Sequence, residues 1–154
     1  MKKLIIGLTA AGLACASAMT AAQEHWTEGP VWACEAYRTS PGQFNAYLRY
    51  IRAEVEPQNI EAKKQGLILD YKTFIKDPHD PNDYDVLFCT LFPNFGKALD
   101  YNKADEEKAE AIAAAHFKTA DEDKQAEMIQ HRLAMRTFLG TTYVREVMLR
   151  PAEK

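Results

Sequence analysis

The stretch VWACEAYRT, residues 31–39, followed directly by SPGQ, residues 40–43, decides the fold of this chain. Its first part alternates in polarity and contains aromatic residues, which predicts a β-strand. In its second part Ser40 is a good helix N-cap, Pro41 suits the first helical position, and Gln43 would complete a capping box. The sequence therefore predicts a strand that passes at once into a helix.

The helix after Gln43 presents one apolar face. Pro57 is expected to kink or end it near Glu56, and a polar continuation should reach Gly66. The residues of the apolar face are Phe44, Tyr47, Leu48, Ile51 and Val55.

The next two apolar segments are typical of an antiparallel hairpin. The predicted strands are LILDYKTFIK (67–76) and YDVLFCTLF (84–92), joined by the turn-forming loop DPHDPND (77–83). This loop lacks the glycine and the distal glutamate of a calcium loop, so we expect a solvated loop.

The last part of the chain combines helix signals with one more strand. After a further helical region, Thr119 and Glu122 predict a second capping box before a helix over residues 121–139, which Gly140 should end. The stretch TYVREVMLR (142–150) is the last predicted strand. The inner stripe of the late helix would be Ala126, Ile129, Leu133 and Thr137.

The resulting order is strand, helix, strand, strand, helix pair and strand, within a single domain over residues 31–151. This order predicts an α+β fold in which a four-stranded antiparallel sheet carries helices on one face. The opposite face has too many apolar residues to remain in water, and a second copy of the chain would cover it. We therefore expect a homodimer. Residues 23–30 would form a polar leader arm, and residues 152–154 a short tail.

The βαββαβ order, a strand carrying Glu35-Ala36-Tyr37, the following Pro41-Gly42 and a helix containing Tyr47 together resemble the dimeric α/β-barrel superfamily of ferredoxin-like domains. Within it the chain is similar to NIPSNAP-like and antibiotic-biosynthesis-monooxygenase-like members, and the predicted late helix is longer than the minimal fold requires. Such families include cofactor-free oxygenases, haem-degrading enzymes, isomerases and proteins without known activity. The resemblance therefore implies a fold without selecting a function.

The first 22 residues have the pattern of a secretory signal peptide. Lys2 and Lys3 precede an apolar run over residues 4–16, and small residues follow, with cleavage expected near Ala18 or Ala22. We therefore expect a periplasmic or secreted protein without a stable membrane anchor. Lipidation at Cys15 is a weaker alternative, because the signal for it normally has a larger aliphatic residue where this chain has a glycine.

Charge and cysteine content narrow the possible partners. Loss of Lys2 and Lys3 takes the net charge from −3 to −5. An acidic domain without a basic block is a poor candidate for binding nucleic acid or anionic lipid. In an oxidising compartment Cys34 and Cys89 could form a disulfide, and the alternative is two buried free thiols.

Strand alternation places Glu35 and Tyr37 on one face of the first strand, opposite Trp32 and Cys34. If Arg145 of the last strand converges on them, the three could contact a small acid or transfer a proton. Tyr47 and Phe88 would supply the apolar wall of that site. The alternative is an ordinary ion pair between Glu35 and Arg145 near a dimer surface.

His131 is a second candidate base, and it or His116 could be an axial haem ligand, although lone histidines on amphipathic helices are more often surface residues. The histidines lack metal-ligand spacing, so no metal is predicted. The sequence does not predict the identity of any other cofactor. We expect an exported small-molecule-binding protein with a pocket beneath the sheet. As an enzyme it would perform cofactor-independent proton transfer or oxygenation with Glu35 or His131 as base. The alternative is a non-catalytic module whose apolar sheet face is only a homodimer interface.

Overall fold

A computed structural model describes residues 25–151. The predicted signal peptide with Cys15, the first two residues of the leader arm and the C-terminal tail lie outside the described residues. Within residues 25–151 no helix is long and apolar enough to cross a membrane. The elements, in chain order, are β1 Trp26–Thr39, α1 Phe44–Tyr50, α2 Glu56–Lys64, β2 Asp70–Ile75, β3 Val86–Phe92, α3 Phe95–Leu99, α4 Lys103–Phe117, α5 Glu122–Gln130, α6 Arg132–Met135 and β4 Arg136–Leu149.

The four strands form one antiparallel sheet in the order β2-β3-β1-β4. This confirms the predicted α+β class with a four-stranded antiparallel sheet, and the strand order is compatible with the ferredoxin-like arrangement. β1 is a central strand, paired with β3 on one side and with β4 on the other. Both faces of the sheet are therefore organised around the alternation of β1.

The core lies between the sheet and α1. It consists of buried side chains from β1, the α1 region and β3, against which Phe44, Leu48, Val55, Phe88 and Met135 also pack. On β1 it is Tyr37 that enters this core, and α3 covers the same face further along, where Phe95 lies under Arg145 of β4. The buried members of the core are Tyr37, Tyr47, Tyr50, Ile51 and Val86.

The opposite face of the sheet, which we call the open face, carries the other set of β1 side chains. A disulfide bond joins Cys34 of β1 to Cys89 of β3, its direct cross-strand partner. Around it the face is apolar, and Phe74 and Val144 are about half exposed. The disulfide therefore fastens the two central strands in one register from the side that the helices do not cover.

The predicted capping box at the start of α1 is wrong. Gln43 N donates to Ser40 O over 2.9 Å, and Gly42 has φ +76°, so residues 40–43 form a β-turn with Pro41 and Gly42 at its centre. Gln43 is the N-cap and makes no side-chain capping bond. Proline and glycine at these two positions are what a type II turn requires, and this requirement outweighs the capping potential of Ser40.

Helical structure continues past Pro57 rather than stopping there. A π-helical turn over Ile51–Val55 joins α1 to α2, and Pro57 lies in the first turn of α2. Proline has no backbone N–H to donate, so the change of hydrogen-bond register immediately before it accommodates the missing donor. The expected boundary near Glu56 is therefore a change of helix type.

The N-terminal boundary of β1 differs from the prediction. The strand begins at Trp26, so residues 26–30 are not a leader arm. Residues 26–28 pair with the end of β4, and a bulge separates them from Val31. Pro30 lies in this bulge, where a ladder bond is not needed, and a Cβ on Gly29 would lie 2.8 Å from Glu146 O.

The late helix over residues 121–139 is also wrong. α5 ends at Gln130, and β4 begins at Arg136, six residues before the predicted strand. Asp121, not Thr119, is the N-cap of α5, because its side chain accepts the Lys124 N–H. The 14-residue β1 offers backbone partners as far as Thr39, and this pairing captures residues 136–141 for the sheet.

Gly140 is a bulge residue and not a helix stop. The register of β4 against β1 shifts by one residue between Ala36 and Tyr37, where Gly140 has φ +141°. As a result Phe138 lies opposite Tyr37 and Arg136 opposite Thr39. The two segments of β4 on either side of this bulge therefore follow opposite sequence parity.

The disulfide should contribute measurably to stability. It closes a loop with a sequence separation of 55 residues, and such a cross-link typically stabilises a domain by about 2–4 kcal/mol because it restricts the unfolded chain. We expect the double variant Cys34→Ser/Cys89→Ser to lose that amount of unfolding free energy in urea denaturation. Reductant should destabilise the wild type and leave the double variant unchanged; equal stability of the two proteins without reductant would contradict this role.

Candidate functional site

Four side chains on the helix side of the sheet form what we call the tyrosine–arginine cluster: Glu35, Tyr37, Tyr47 and Arg136. β1 supplies Glu35 and Tyr37, which alternate onto the face that α1 covers. α1 supplies Tyr47, and the first residue of β4 supplies Arg136. The cluster therefore depends on β1, α1 and the register shift in β4 together.

The members of the cluster are in direct contact. The Tyr37 hydroxyl donates a hydrogen bond to Glu35 Oε2. The Arg136 guanidinium carbon lies 4.0 Å from the Tyr37 ring centroid and 5.7 Å from that of Tyr47. The two tyrosine rings meet edge to face at 5.8 Å. A carboxylate, two phenols and a guanidinium thus share one small volume.

Both phenols are held in their neutral form. Burial raises the pKa of Tyr37 far above its ordinary value, and its hydrogen bond to the Glu35 carboxylate raises that pKa further. Burial also raises the pKa of Tyr47 to about 12, although the neighbouring Arg136 acts in the opposite direction. At neutral pH these hydroxyls are therefore hydrogen-bonding groups and not anions.

Arg136 retains an unused donor. Its Nε is buried and has no hydrogen-bond partner among residues 25–151. No ion pair within the described chain joins Arg136 to Glu35, although both belong to the cluster. A buried donor without a partner is costly, and a planar acceptor such as a carboxylate matches a guanidinium best. The cluster therefore has the chemistry to receive an anionic group.

The cluster borders a surface that the helices leave open. On β4 the residue opposite Glu35 is Thr141, which is exposed. Tyr143, two positions further on the same face, is 39% exposed, and Phe138 beside Tyr37 is 50% exposed. The helix side of β4 thus carries exposed aromatic side chains next to the cluster.

The structure brings four of the predicted site residues together. Glu35, Tyr37 and Tyr47 are in the cluster, and Phe88 lies opposite Glu35 on β3 and packs against the same core. This arrangement follows from the alternation in β1 and the spacing of the apolar face of α1.

Arg145 does not join them. It lies opposite Val31, forms an ion pair with Glu28, and stacks over the Phe95 ring at 4.7 Å. Val31 is four residues from Glu35 along β1, which at about 3.4 Å per residue is roughly 14 Å. The predicted convergence of Arg145 with Glu35 is therefore wrong, and so is the alternative of an ion pair between them.

The histidines also lie outside the cluster. His131 is exposed, and its ring centroid lies 5.4 Å from that of Tyr50 in an edge-to-face arrangement. Tyr50 in turn stacks on Tyr47. Aromatic rings therefore separate His131 from Glu35. His116 bonds to Glu54 over 2.9 Å, between α4 and the π-helical turn.

Arg136 is the member of the cluster that the sequence did not predict. Its position in a predicted helix hid the alternation that places it on the helix side of the sheet. A signal was present in residues 137–144, TFLGTTYV, which contain no charge and are rich in threonine and aromatic residues, as is typical of a strand.

Metal ligands are not assembled within the described residues, where no group of three His, Cys, Asp or Glu could hold an ion. In the loop over residues 77–83, the Asp83 carboxylate is bonded to groups of the protein itself. It accepts the backbone N–H of His79 and pairs with Lys76 at 2.6 Å, contacts that lower its pKa to about 2. Together these contacts hold the predicted loop in one conformation.

A groove of about 490 Å³ lies on the other side of the sheet, on the open face. We call it the open-face groove. Its lining is Trp32, Cys34, Lys72, Phe74, Ile75, Lys76, Tyr84, Leu87, Cys89, Val144 and Glu146.

The raised pKa of Tyr47 should appear in the pH dependence of stability. The folded pKa is about 12 and the unfolded value about 10, so the native state holds this proton longer and its stabilisation is present below pH 10 and lost as pH rises towards 12. We expect Tyr47→Phe to reduce the slope of unfolding free energy against pH by up to about 1.4 kcal/mol per pH unit in this window. Urea denaturation at several alkaline pH values measures the slope, with Tyr101→Phe, whose residue is 79% exposed, as the matched control; identical slopes for the wild type and Tyr47→Phe would contradict the burial argument.

Comparison with known proteins gives a distant structural likeness. No family model matches the chain, and no curated protein matches it. A similar solved structure is the crystal structure of a NIPSNAP family protein with unknown function from Agrobacterium tumefaciens strain C58. The two are 15% identical, with a TM-score of 0.42, and the match covers 79% of this chain and 88% of that chain.

Proposed function

We propose that this chain is an exported protein that binds a small, partly apolar organic acid at the tyrosine–arginine cluster. The observation that carries the proposal is Arg136, whose guanidinium lies among Tyr37, Tyr47 and Glu35 with a buried Nε that lacks a protein partner. A carboxylate bound there would supply the missing acceptor and neutralise the charge. Few but well-placed polar groups beside aromatic walls are typical of small-molecule sites.

The surroundings define the rest of the ligand. The half-exposed rings of Phe138 and Tyr143 lie beside the cluster, on the helix side of β4, and would contact the apolar or aromatic part of the ligand. The neutral Tyr47 hydroxyl would donate to a second oxygen of the acid. Glu35 would repel a second negative charge, so a monoanion fits better than a dianion.

If the protein is an enzyme, Glu35 would be the base of this site. Glu35 already accepts a hydrogen bond from Tyr37, so it is the group placed to take a proton from a bound ligand. The reaction would then be a cofactor-independent proton transfer or oxygenation. His131, on the far side of Tyr50, would not take part.

Export is proposed from the N-terminal signal pattern in residues 1–22. The bond between Cys34 and Cys89 supports it, since structural disulfides persist in oxidising compartments such as the periplasm.

Removal of the Arg136 charge should weaken acid binding. We expect benzoate, used as the probe, to bind Arg136→Gln at least ten-fold more weakly than the wild type in calorimetric titration, because a charge-assisted hydrogen bond is lost. Arg145→Gln is the matched control, since Arg145 also has a buried Nε without a partner but pairs with Glu28 elsewhere on the sheet. Glu35→Ala should not weaken benzoate binding, because it removes a carboxylate that repels the anion.

Two outcomes would contradict the proposal: undiminished binding by Arg136→Gln, or equal weakening by both arginine variants. A native mass spectrum of protein purified from its own periplasm would test export, since the mature chain should begin near residue 19 or 23. The same spectrum would report a retained ligand.

A second candidate function is that of a non-catalytic module that forms a homodimer through the open face. The observation in its favour is the extent of uncovered apolar surface on β2 and β4. In this arrangement two sheets would face each other, as in a dimeric α/β barrel. The exposed apolar residues that line the open face are Phe74 and Ile75 of β2 and Val144 of β4.

A charge on the open face should separate the copies. Phe74→Asp replaces a half-exposed apolar side chain, so the fold should survive while a face-to-face contact would bury an unpaired carboxylate. This second candidate predicts, in sedimentation, a dimer for the wild type and a monomer for this variant, with Tyr101→Asp, far more exposed and outside the sheet, remaining dimeric. A monomeric wild type would exclude the homodimer.

A further inference from the structure

We propose that the open-face groove is a second ligand site, which binds an amphipathic carboxylate such as a fatty acid. The apolar part of the ligand would lie along the Cys34–Cys89 disulfide, and its carboxylate would pair with Lys72. This site is separate from the tyrosine–arginine cluster, because the alternation of β1 places the two on opposite faces of the sheet.

The floor of the groove is apolar and central. The disulfide joins the two middle strands, and Leu87, opposite Ala36, continues the floor along β3. Phe74 on β2 and Val144 on β4 form the sides. The volume of about 490 Å³ lies within the range of about 300–1,000 Å³ that is typical of small-molecule sites.

Lys72 supplies the charge that selects an acid. Its ammonium lies 5.1 Å from the Trp32 ring centroid, above the groove. Among residues 25–151 no carboxylate forms an ion pair with it; Asp70 interacts with it electrostatically, but that carboxylate is bonded to Lys63. Lys76, the other lysine of the groove, differs because Asp83 holds it at 2.6 Å. Lys72 is therefore the cation that remains available to an anionic ligand.

Glu146 limits where the carboxylate of the ligand can lie. It accepts a hydrogen bond from Trp32 Nε1 over 2.6 Å and belongs to β4. Lys72 belongs to β2, but its ammonium reaches over Trp32 of β1, the residue that is bonded to Glu146. The ligand headgroup is therefore expected on the side of the Lys72 ammonium that faces away from Glu146, with the tail along the disulfide.

An acid fits this groove better than a second copy of the chain does. A flat apolar contact would bury the Lys72 ammonium without a counter-ion, which is unfavourable. A carboxylate neutralises that charge while the tail covers the apolar floor. Charge complementarity thus favours the amphipathic acid as the occupant.

The test compares two probes that differ only in charge, dodecanoate and dodecan-1-ol. Trp32 lies in the groove, so its fluorescence reports occupancy once the second tryptophan is removed in a Trp26→Phe background. We expect Lys72→Gln to weaken dodecanoate binding about five-fold, the effect of one exposed ion pair, and to leave dodecan-1-ol unchanged. Glu146→Gln, the matched control, keeps the acceptor for Trp32 and should not weaken dodecanoate. Val144→Asp should weaken both probes.

Several results would overturn the proposal. They are an unchanged Trp32 signal with dodecanoate, equal weakening by Lys72→Gln and Glu146→Gln, and a Val144→Asp variant that alters only the oligomeric state. The last result would assign the face to a second copy. Arg136→Gln should leave the Trp32 fluorescence response to both probes unchanged, so the result at this groove is distinguished from any binding at the cluster.

Discussion

The register between β1 and β3 is the constraint on which the rest of the structure depends. Because side chains alternate along a strand, a slip of one residue would exchange every group on one face of the sheet for a group from the other. Cys34 and Cys89 are direct cross-strand partners, and their disulfide excludes such a slip. It thereby keeps Glu35 and Tyr37 beneath α1 and Trp32 on the open face. The same bond forms part of the floor of the groove, so the register and the shape of that surface are linked.

Much of this arrangement could be predicted from the sequence. The alternation in residues 31–39 places Glu35 and Tyr37 on one face, and the 3.6-residue period of α1 directs Tyr47 towards them. These are local patterns, which depend on the chain within a few residues. The class of fold follows from the order of such elements along the chain. For this reason the central strands and the first helix were close to their predicted positions.

The remainder required tertiary information. Residues 136–139 are compatible with a helix on their own, and they become a strand because β1 is long enough to pair with them. For the same reason the sequence does not predict Arg136 as a site residue and wrongly predicts Arg145 as one. The cross-strand partner of each arginine depends on the register of β4 and not on its neighbours in sequence. Propensity cannot supply that register, because it is decided by hydrogen bonds to a strand about 100 residues earlier in the chain.

The bulge at Gly140 has a consequence for comparisons among homologues. It changes the phase of β4, so Arg136 and Phe138 face the helices with even numbers, whereas Thr141, Tyr143 and Arg145 do so with odd numbers. In a related chain without this extra residue, an ungapped alignment would match Arg136 to a position on the opposite side of the sheet. The gain or loss of one residue at the bulge would therefore move the guanidinium into or out of the cluster without any change in its identity. Conservation of the cluster should accordingly be judged by position in space, with an alignment gap allowed at residues 139–140, rather than by the column in which an arginine stands.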